Sequence, residues 1–378
     1  MILKYGGYIN DNVTVQEKQG ELSILSSLPE DNQEDLIILP DACLPRIGDF
    51  VITAHDEKLI AEPKSHDIKE SHTTLMRLMI EIYNITNKLS KHRDTNPWLS
   101  LEKSPSLMQK LFEGRAMDPK MRQYYEKYKC NNFNEILIDT FIGSRTLSFK
   151  SNTEKKPSDC MMPFIDFVNH FFSSPMIHKN NDKNGSISIK NFLAITGSQE
   201  CFVHYNMIDP LDSFLVYGFV DDKVPFVKSV PLQFQLHEYS HIQVHTRISS
   251  YFSGDLPDSV QDLRAYLPII LEFDDSVMQL SRLLIPGENA PRALRRVLEL
   301  IIRGWKPMLD PAVVKEIVIN AEKLIIRENI EYYTSLSSVV ETLNDGGVSE
   351  SIARSVKTLV VLQLDKLHNY MNRINSLG

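Results

Sequence analysis

The chain has 378 residues, of which 42% are hydrophobic and 24% are charged, and its formal net charge is −8. This composition is typical of a globular protein with volume for a buried core and two or three domains. The acidic balance argues against a general nucleic-acid-binding surface, which needs an excess of basic residues to displace counterions. No apolar run reaches the roughly 18 residues of a membrane span, and none opens the chain as a secretory signal. We therefore expect a cytoplasmic protein without membrane or nucleic-acid partners.

The N-terminal part of the chain predicts short strands followed by helices. Brief apolar runs bounded by Gly, Pro, Asn and Asp predict strands, and they span residues 21–25, 35–40 and 50–53. From Thr74 the apolar residues recur three and four positions apart, which is the spacing of one helix face. The same helical pattern continues through residues 107–112 and 133–141.

The second half of the chain repeats this order. Strands return between Met161 and Val220, and a polar turn at residues 179–185 joins two of them. Beyond Asp221 the apolar spacing becomes helical, over residues 262–284, 290–302, 312–327 and 351–377. The sequence therefore predicts an α+β protein with the order strands, helical insert, strands and helical tail.

Two stretches about 35 residues apart carry the most specific pattern. The first, residues 159–170, is apolar and ends in Asn169-His170, and the second, residues 199–205, ends in Tyr205. An aromatic segment, Tyr217-Gly218-Phe219-Val220, follows. This succession resembles the core of a SET-domain methyltransferase, in the form found in Rubisco large-subunit lysine methyltransferases and in animal relatives that methylate protein lysine or actin histidine.

Two further segments extend the resemblance beyond the motifs. Residues 96–105 look like a degenerate form of the Trp-containing element of the family's helical insert, and residues 141–149 are similar to the Ser-Arg element that closes it. The resemblance implies a SET β-fold of small pseudoknotted sheets with a helical insert and an all-helical C-terminal substrate-binding domain. It places the N-terminal SET part at residues 1–70, the insert at 71–143, the SET core at 144–222 and the mainly helical domain at 223–378.

The resemblance also implies S-adenosyl-L-methionine as the cofactor and names residues to hold it. Asn169 and His170 would bind its amino-acid end and adenine, and Arg145 would bind its carboxylate, for which a guanidinium is suited. Asp166, which precedes the Asn-His pair in the same pattern, is a further residue that the resemblance assigns to cofactor binding. A structural alternative is that Arg145 pairs with Asp166 to brace the fold, and that Asn-His only ends a strand at a turn.

A loop and two tyrosines complete the implied site. The N-terminal cofactor loop corresponds to Gly20-Glu21-Leu22, which keeps the first Gly of the family's Gly-x-Gly and lacks the second. Tyr205 is the first choice for the catalytic tyrosine, because a phenol can orient an incoming amine and favour its neutral form in a desolvated pocket. Tyr217 would line the same channel. The alternative for both tyrosines is ordinary strand packing with a solvated hydroxyl.

The leading hypothesis is thus a cofactor-dependent N-methyltransferase that acts on a protein side chain, most simply lysine. A second hypothesis is a catalytically inactive SET-like interaction scaffold. It is favoured by the altered Gly-x-Gly and by residues 206–211, which lack the Ser-Asn pair that the family usually has after its tyrosine.

A third hypothesis is a zinc hydrolase, because His237-Glu238-x-x-His241 matches a zinc-binding pattern that requires a helix. The alternation of apolar and polar residues on both sides of this motif predicts strands instead. The four cysteines form no Cys-x-x-Cys pair, so we expect reduced thiols and no metal centre.

Overall fold

The computed structural model describes residues 1–18, 21–151, 154–180, 185–193, 198–237, 240–248, 254–341 and 348–376. The chain divides into two compact units. The first unit contains Met1–Asp94 and Phe133–Tyr205, and the second contains Thr95–Asn132 and Asn206–Gly378. Both units draw on the segment 71–143 that the sequence predicts as a helical insert.

Short strands precede a group of helices in the N-terminal half. These elements are β1 (Tyr8–Ile9), β2 (Val13–Lys18), β3 (Glu21–Ser26), β4 (Asp35–Pro40), β5 (Phe50–His55), β6 (Lys58–Pro63), α1 (Glu70–Ile85), α2 (Lys88–Thr95), α3 (Pro97–Ser100), α4 (Pro105–Glu113), α5 (Pro119–Lys129) and α6 (Phe133–Gly143). The predicted strands at 21–25, 35–40 and 50–53 and the helices at 107–112 and 133–141 are confirmed, and α1 contains the predicted helical stripe after Thr74.

The remaining elements are again short strands, interrupted by one helix and followed by long helices. They are β7 (Thr146–Phe149), β8 (Ser158–Met161), β9 (Asn169–His170), β10 (His178–Asn180), β11 (Ser186–Lys190), β12 (Phe202–Val203), α7 (Pro210–Tyr217), β13 (Phe226–Lys228), β14 (Leu232–His237), β15 (Ser240–Val244), β16 (Ile270–Phe273), β17 (Val277–Leu280), β18 (Leu284–Pro286), α8 (Ala293–Trp305), α9 (Pro311–Glu341) and α10 (Glu350–Ser376). The predicted α+β class is confirmed, with strands in small sheets and a helical C-terminal region.

The first unit is built around a four-stranded sheet with the order β1-β4-β11-β10. Its central strand β4 buries Leu36, Ile37 and Leu39 completely, so apolar burial holds the sheet in place. Strands β10 and β11 pair in antiparallel fashion on either side of the predicted polar turn, of which residues 181–184 lie outside the described part of the chain. Strand β9 pairs with β12 in parallel, and this small pair carries the candidate site.

The segment between Tyr205 and Val220 corrects the sequence prediction, because it contains helix α7 instead of a strand. Asp209 caps this helix by accepting hydrogen bonds from the backbone N–H groups of Leu211 and Asp212. The side chain of Asp212 in turn accepts a hydrogen bond from the backbone N–H of Asp209. Pro210 occupies the first helical turn, where its missing N–H costs nothing. The following apolar run Ser213–Val216 suits a buried helix as well as a strand, so the cap decides the outcome.

The predicted helix at residues 262–284 is wrong. This part of the chain contains strands β16, β17 and the beginning of β18, and β16 and β17 belong to a four-stranded sheet with the order β14-β15-β17-β16. Pro268 explains the error, since a proline inside an apolar stripe removes a backbone donor and breaks a helix. The predicted strands around His237 and His241 are confirmed as the antiparallel hairpin of β14 and β15.

The C-terminal helices are confirmed at their predicted places, and α9 continues past the predicted end at residue 327 to Glu341. Each helix buries one face, and the buried face of α10 contains Ile352, Val356, Leu359, Leu367 and Ile374. Within the described residues, no helix is both long enough and apolar enough to cross a membrane.

Candidate functional site

The parallel pair of β9 and β12 brings the two predicted motifs together. Asn169 is the register partner of Phe202, and His170 is the partner of Val203. Two residues after β12, the backbone N–H of Tyr205 donates a hydrogen bond to His170 Nδ1 over 3.1 Å. This bond requires that Nδ1 carries no proton, because only the unprotonated ring nitrogen is an acceptor. The predicted relation between the Asn-His stretch and Tyr205 is therefore one of direct contact.

The phenol of Tyr205 is anchored on the other motif. Its hydroxyl donates to the carbonyl oxygen of Val168 at 2.9 Å, and its ring lies 5.0 Å from that of His170, centroid to centroid. His204 is buried, with its ring 5.5 Å from His170 and 4.9 Å from Phe172. The ring of Tyr205 thus packs against one side of a small aromatic group, and two hydrogen bonds, one from its hydroxyl and one from its backbone, set its orientation.

Asn169 is exposed, and its side chain is held by different neighbours from those of His170. Its amide donates to Glu200 Oε1 at 2.6 Å and to Ser23 Oγ at 3.4 Å. Ser23 belongs to β3. Leu25, two residues further along the same strand, forms an antiparallel backbone bridge with Glu200. Strand β3, whose first two residues Glu21 and Leu22 were predicted as part of the cofactor loop, therefore lies beside the Asn-His stretch.

The predicted cofactor loop itself is only partly described. Gly20 lies outside the described residues, whereas Glu21 is largely exposed and forms ion pairs with Lys88 and Lys91. Partial burial by itself raises the pKa of Glu21, and the two ammonium groups more than offset this, so the net shift is downward. Leu22 is half-buried and pairs with Glu17 across the β2–β3 hairpin. A charged side chain and an apolar side chain thus occupy the described part of the predicted loop.

Arg145 and Asp166 face each other in the first unit. The Arg145 Nε lies 3.7 Å from Asp166 Oδ2, and the same oxygen accepts a 2.7 Å hydrogen bond from the hydroxyl of Tyr83. The Arg145 guanidinium carbon also lies 3.9 Å from the centroid of the Phe141 ring, and Nη1 donates a hydrogen bond to the backbone carbonyl oxygen of Phe141. Burial raises the pKa of Asp166 to about 6, and Arg145 and Tyr83 only partly oppose this shift. The geometry is that of the bracing interaction considered as the structural alternative.

Tyr217 belongs to the second unit, where it is the last residue of α7. It is half-buried, its ring lies 5.9 Å from Phe219, and desolvation raises its pKa above the usual value. Gly218 then ends the helix at a φ of 80°, a left-handed conformation that suits glycine. Trp98 donates its indole N–H to the carbonyl oxygen of Leu215 at 2.9 Å, one turn earlier. Tyr217 is therefore presented by a helix that is capped at both ends.

Sequence reasoning missed a cluster of buried charges that fixes the beginning of α7. Arg115 is 1% exposed and contacts both acidic residues of the helix cap, Asp209 and Asp212, at 2.6 Å each. Lys228, which is fully buried, forms an ion pair with Asp212, and Gln363 donates to Asp209 Oδ2 at 3.0 Å. The only signal in the sequence was the Asp-Pro-x-Asp spacing of the cap, because nothing local marks Arg115 as buried.

The partners of the predicted site residues were also missed. Glu200 and Ser23 hold Asn169, and Tyr83 holds Asp166. Tyr83 lies on the apolar stripe of α1, where the spacing predicts burial but gives no reason to expect a hydrogen bond to an acid. Glu200 directly precedes the run Cys201–Val203, which contains β12. This closeness to β12 was the only feature of the sequence that pointed to a role for Glu200 in the site.

The zinc-binding pattern does not form the helix that its spacing requires. His237 ends β14 and His241 lies in β15, in antiparallel strands whose register shifts between Gln235 and His237. Glu238 lies outside the described residues. Among the residues that the structure describes, no group of three or more His, Cys, Asp or Glu side chains is close enough to hold a metal ion.

Comparisons with known proteins give structural similarity only. No family model and no curated protein matches the chain. The SET domain of LSMT bound to lysine and AdoHcy is 12% identical, with a TM-score of 0.43 over 100% of this chain and 90% of that chain. Rubisco LSMT bound to sinefungin and monomethyllysine is 13% identical, with a TM-score of 0.43 over 100% and 91%. Rubisco LSMT bound to AdoMet is 12% identical, with a TM-score of 0.39 over 98% and 90%. Likeness at this level defines no activity for this chain.

Proposed function

We propose that the protein is a cytoplasmic N-methyltransferase of the SET class, which transfers a methyl group from S-adenosyl-L-methionine to a protein side chain, most simply lysine. The observation that carries this proposal is the placement of Tyr205. Its phenol is bonded to Val168 and its backbone to His170, so the catalytic candidate and the cofactor-binding candidates meet at one small parallel strand pair.

Two of the predicted cofactor residues carry groups that fit such a cofactor. The amide of Asn169 is exposed and reachable, and amide groups suit the polar ends of a nucleoside and an amino acid. Arg145 has one guanidinium nitrogen, Nη2, without a hydrogen-bond partner among the described residues, and a carboxylate is its natural ligand. Asn169 and His170 would hold the amino-acid end and adenine, and Arg145 the carboxylate, as the sequence resemblance implies.

The chemistry asks little of the protein beyond placement. The cofactor, when bound, supplies a methyl group already activated by a sulfonium. The chain must keep an amine unprotonated and aligned, and alignment alone lowers a barrier by several kcal/mol. The Tyr205 hydroxyl, fixed on the Val168 carbonyl, offers its oxygen lone pairs to an amine N–H, while burial beside the His170 ring helps to exclude water and disfavours the charged amine.

A binding experiment tests the cofactor half of this proposal. Calorimetry of the full chain with S-adenosylhomocysteine is expected to give a dissociation constant in the micromolar range. Asn169→Ala should weaken binding about tenfold, a loss of roughly 1.4 kcal/mol, whereas Asn132→Ala, at an exposed position in the second unit, should leave it unchanged. An equal effect of both substitutions would contradict the assigned role of Asn169.

A transfer experiment tests the reaction. The chain is incubated with cell lysate and methyl-labelled cofactor, and labelled proteins are analysed for methyl-lysine after hydrolysis. Label is expected with the wild-type chain and not with Tyr205→Phe. Label in methyl-histidine would correct the acceptor, and a complete lack of label with intact cofactor binding would contradict the enzyme proposal.

A second candidate, a binding scaffold without turnover, is favoured by one observation. Glu21 takes the middle position of the cofactor loop and is tied to Lys88 and Lys91 by ion pairs, and Leu22 stands where a second glycine would let the backbone approach a ligand. Calorimetry separates the two candidates, because a scaffold should show neither heat nor a thermal shift with S-adenosylhomocysteine.

A further inference from the structure

An apolar groove with a volume of about 600 Å³ lies in the second unit, between the β16–β17 hairpin and α8. Its wall contains large apolar side chains that face solvent, including Phe273 at 64% exposure and Ile270 at 46%. Leu300 and Trp305 form the opposite wall on α8. Clustered exposed apolar residues of this size mark interaction sites more often than chance.

Strand β16 forms one margin of the groove and is also the edge of its sheet. It pairs with β17 alone among the described residues, at the end of the order β14-β15-β17-β16. An edge strand offers unpaired backbone N–H and C=O groups to any extended chain that lies beside it. The groove therefore combines backbone hydrogen-bonding capacity with space for alternate apolar side chains, which is the arrangement used for strand addition.

The charges around this edge select the partner. Glu272, Asp274 and Asp275 are exposed, and among the described residues none of them forms an ion pair. Arg296 pairs with Asp262 and Arg303 with Glu299, so these two basic groups of α8 are engaged elsewhere, whereas His241 of β15 interacts with Asp274. Lys306 donates to the backbone carbonyl of Asp275 and offsets one of the three acidic charges. The edge thus keeps an excess of negative charge.

We propose that this groove binds an extended segment of a partner protein, in which lysine or arginine residues alternate with apolar ones. The segment adds a strand to β16, places its apolar side chains in the groove and sets its basic side chains against Glu272 and Asp275. A second copy of this chain is disfavoured, because two-fold pairing would bring two acidic edges together, and like charges across strands repel. This binding does not depend on the proposed methyl transfer.

The probe for this proposal is a fluorescein-labelled eight-residue peptide that alternates valine and lysine, with a valine–glutamate peptide as its matched partner. Fluorescence anisotropy with the full chain at low salt is expected to show at least about tenfold tighter binding of the lysine peptide, since electrostatic complementarity chiefly sets such preferences. Glu272→Lys should remove or reverse this order. Glu316→Lys, the same charge reversal at an exposed position of α9, should leave it unchanged.

A second variant tests the groove without changing charge. A side chain added at Gly304 points into open space, and Gly304 lines the groove, so Gly304→Leu should fill it and weaken lysine-peptide binding about tenfold. Its thermal midpoint should not fall, because leucine favours a helix more than glycine does. Binding of neither peptide, or unchanged binding by both variants, overturns the proposal. A concentration-dependent dimer in sedimentation that Phe273→Asp abolishes also overturns it, in favour of self-association.

Discussion

The hydroxyl of Tyr205 donates a hydrogen bond to the backbone carbonyl oxygen of Val168 at 2.9 Å. Val168 is buried and immediately precedes Asn169 and His170. A phenol bound in this way is a fixed group with its oxygen lone pairs still available, since a hydroxyl that donates one bond can accept others. The bond therefore couples the orientation of Tyr205 to the backbone that carries the predicted cofactor residues.

Tyr205→Phe removes this bond and the proposed catalytic oxygen. We expect methyl transfer to fall about a hundredfold or more, which is the range for loss of a positioned polar group. The free energy of unfolding should fall by only about 1 kcal/mol, because one buried carbonyl loses one partner. The measurements are label incorporation at fixed lysate concentration and chemical denaturation of both proteins.

Tyr8→Phe is the matched control for this substitution. Tyr8 lies in the same unit and is 45% exposed, so its change should affect neither quantity. Full activity of Tyr205→Phe would assign the tyrosine to packing alone.

Asp166 makes stability depend on pH. Its carboxyl is buried, and its pKa is raised to about 6 from an ordinary value of 3.8. The folded chain therefore binds this proton more tightly than the unfolded chain, and the stabilisation is fully present below pH 3.8 and is lost as the pH rises through about 6. Between about pH 4.5 and pH 7.5 this group alone should change the free energy of unfolding by about 2 kcal/mol.

The comparison with Asp166→Asn isolates this contribution. Buried histidines such as His92, whose pKa is lowered by desolvation, act in the opposite sense as the pH falls, and they cancel in the difference between the two proteins. Denaturant unfolding across this range should show wild-type stability rising relative to the variant as the pH falls. A constant difference would mean that Asp166 keeps an ordinary pKa and is compensated by Arg145.

The sequence predicted those elements in which periodicity had no competitor. The stripe from Leu75 to Tyr83 has one interpretation, and α1 follows it. Where an apolar run suits two structures, periodicity misled, as in the run Ser213–Val216 that proved to be the inside of α7. The prediction for residues 262–284 followed the apparent helical spacing and gave too little weight to Pro268, although a proline is unfavourable inside a helix. Tertiary pairing of β16 with β17 then determined the outcome, and no local pattern encodes it.

The candidate site divides along the same line. The relation between the Asn-His stretch and Tyr205 could be inferred because both belong to one motif, and the structure brings them into contact. The residues that hold them could not be inferred, because Ser23 and Glu200 come from positions 146 and 31 residues away from Asn169. Long-range hydrogen bonds between ordinary polar residues leave no mark in a single sequence.

Arg115→Met leaves Asp209 and Asp212 without their guanidinium in a fully buried setting. Removing one partner of a buried ion cluster costs about 3–5 kcal/mol, since the remaining charges stay desolvated. We expect a loss of this size in denaturant unfolding of the second unit. Arg122→Met, at an exposed arginine of α5, should change stability by less than about 0.5 kcal/mol. Near-equal stability of the two variants would show that Lys228 alone neutralises the cap.

Gly218→Ala tests whether the end of α7 is fixed by its surroundings. Gly218 has a φ of 80°, and a Cβ atom there would lie 2.7 Å from the carbonyl oxygen of Thr95. The left-handed conformation costs alanine about 1–2 kcal/mol, and the contact with a backbone atom adds to this, so the thermal midpoint should fall. Gly304→Ala is the control in the same unit, because its Cβ meets open space, and a helical alanine is favoured by up to about 1 kcal/mol. If both variants have the same midpoint, the backbone around Gly218 shifts freely, and Tyr217 is not held in one position by this turn.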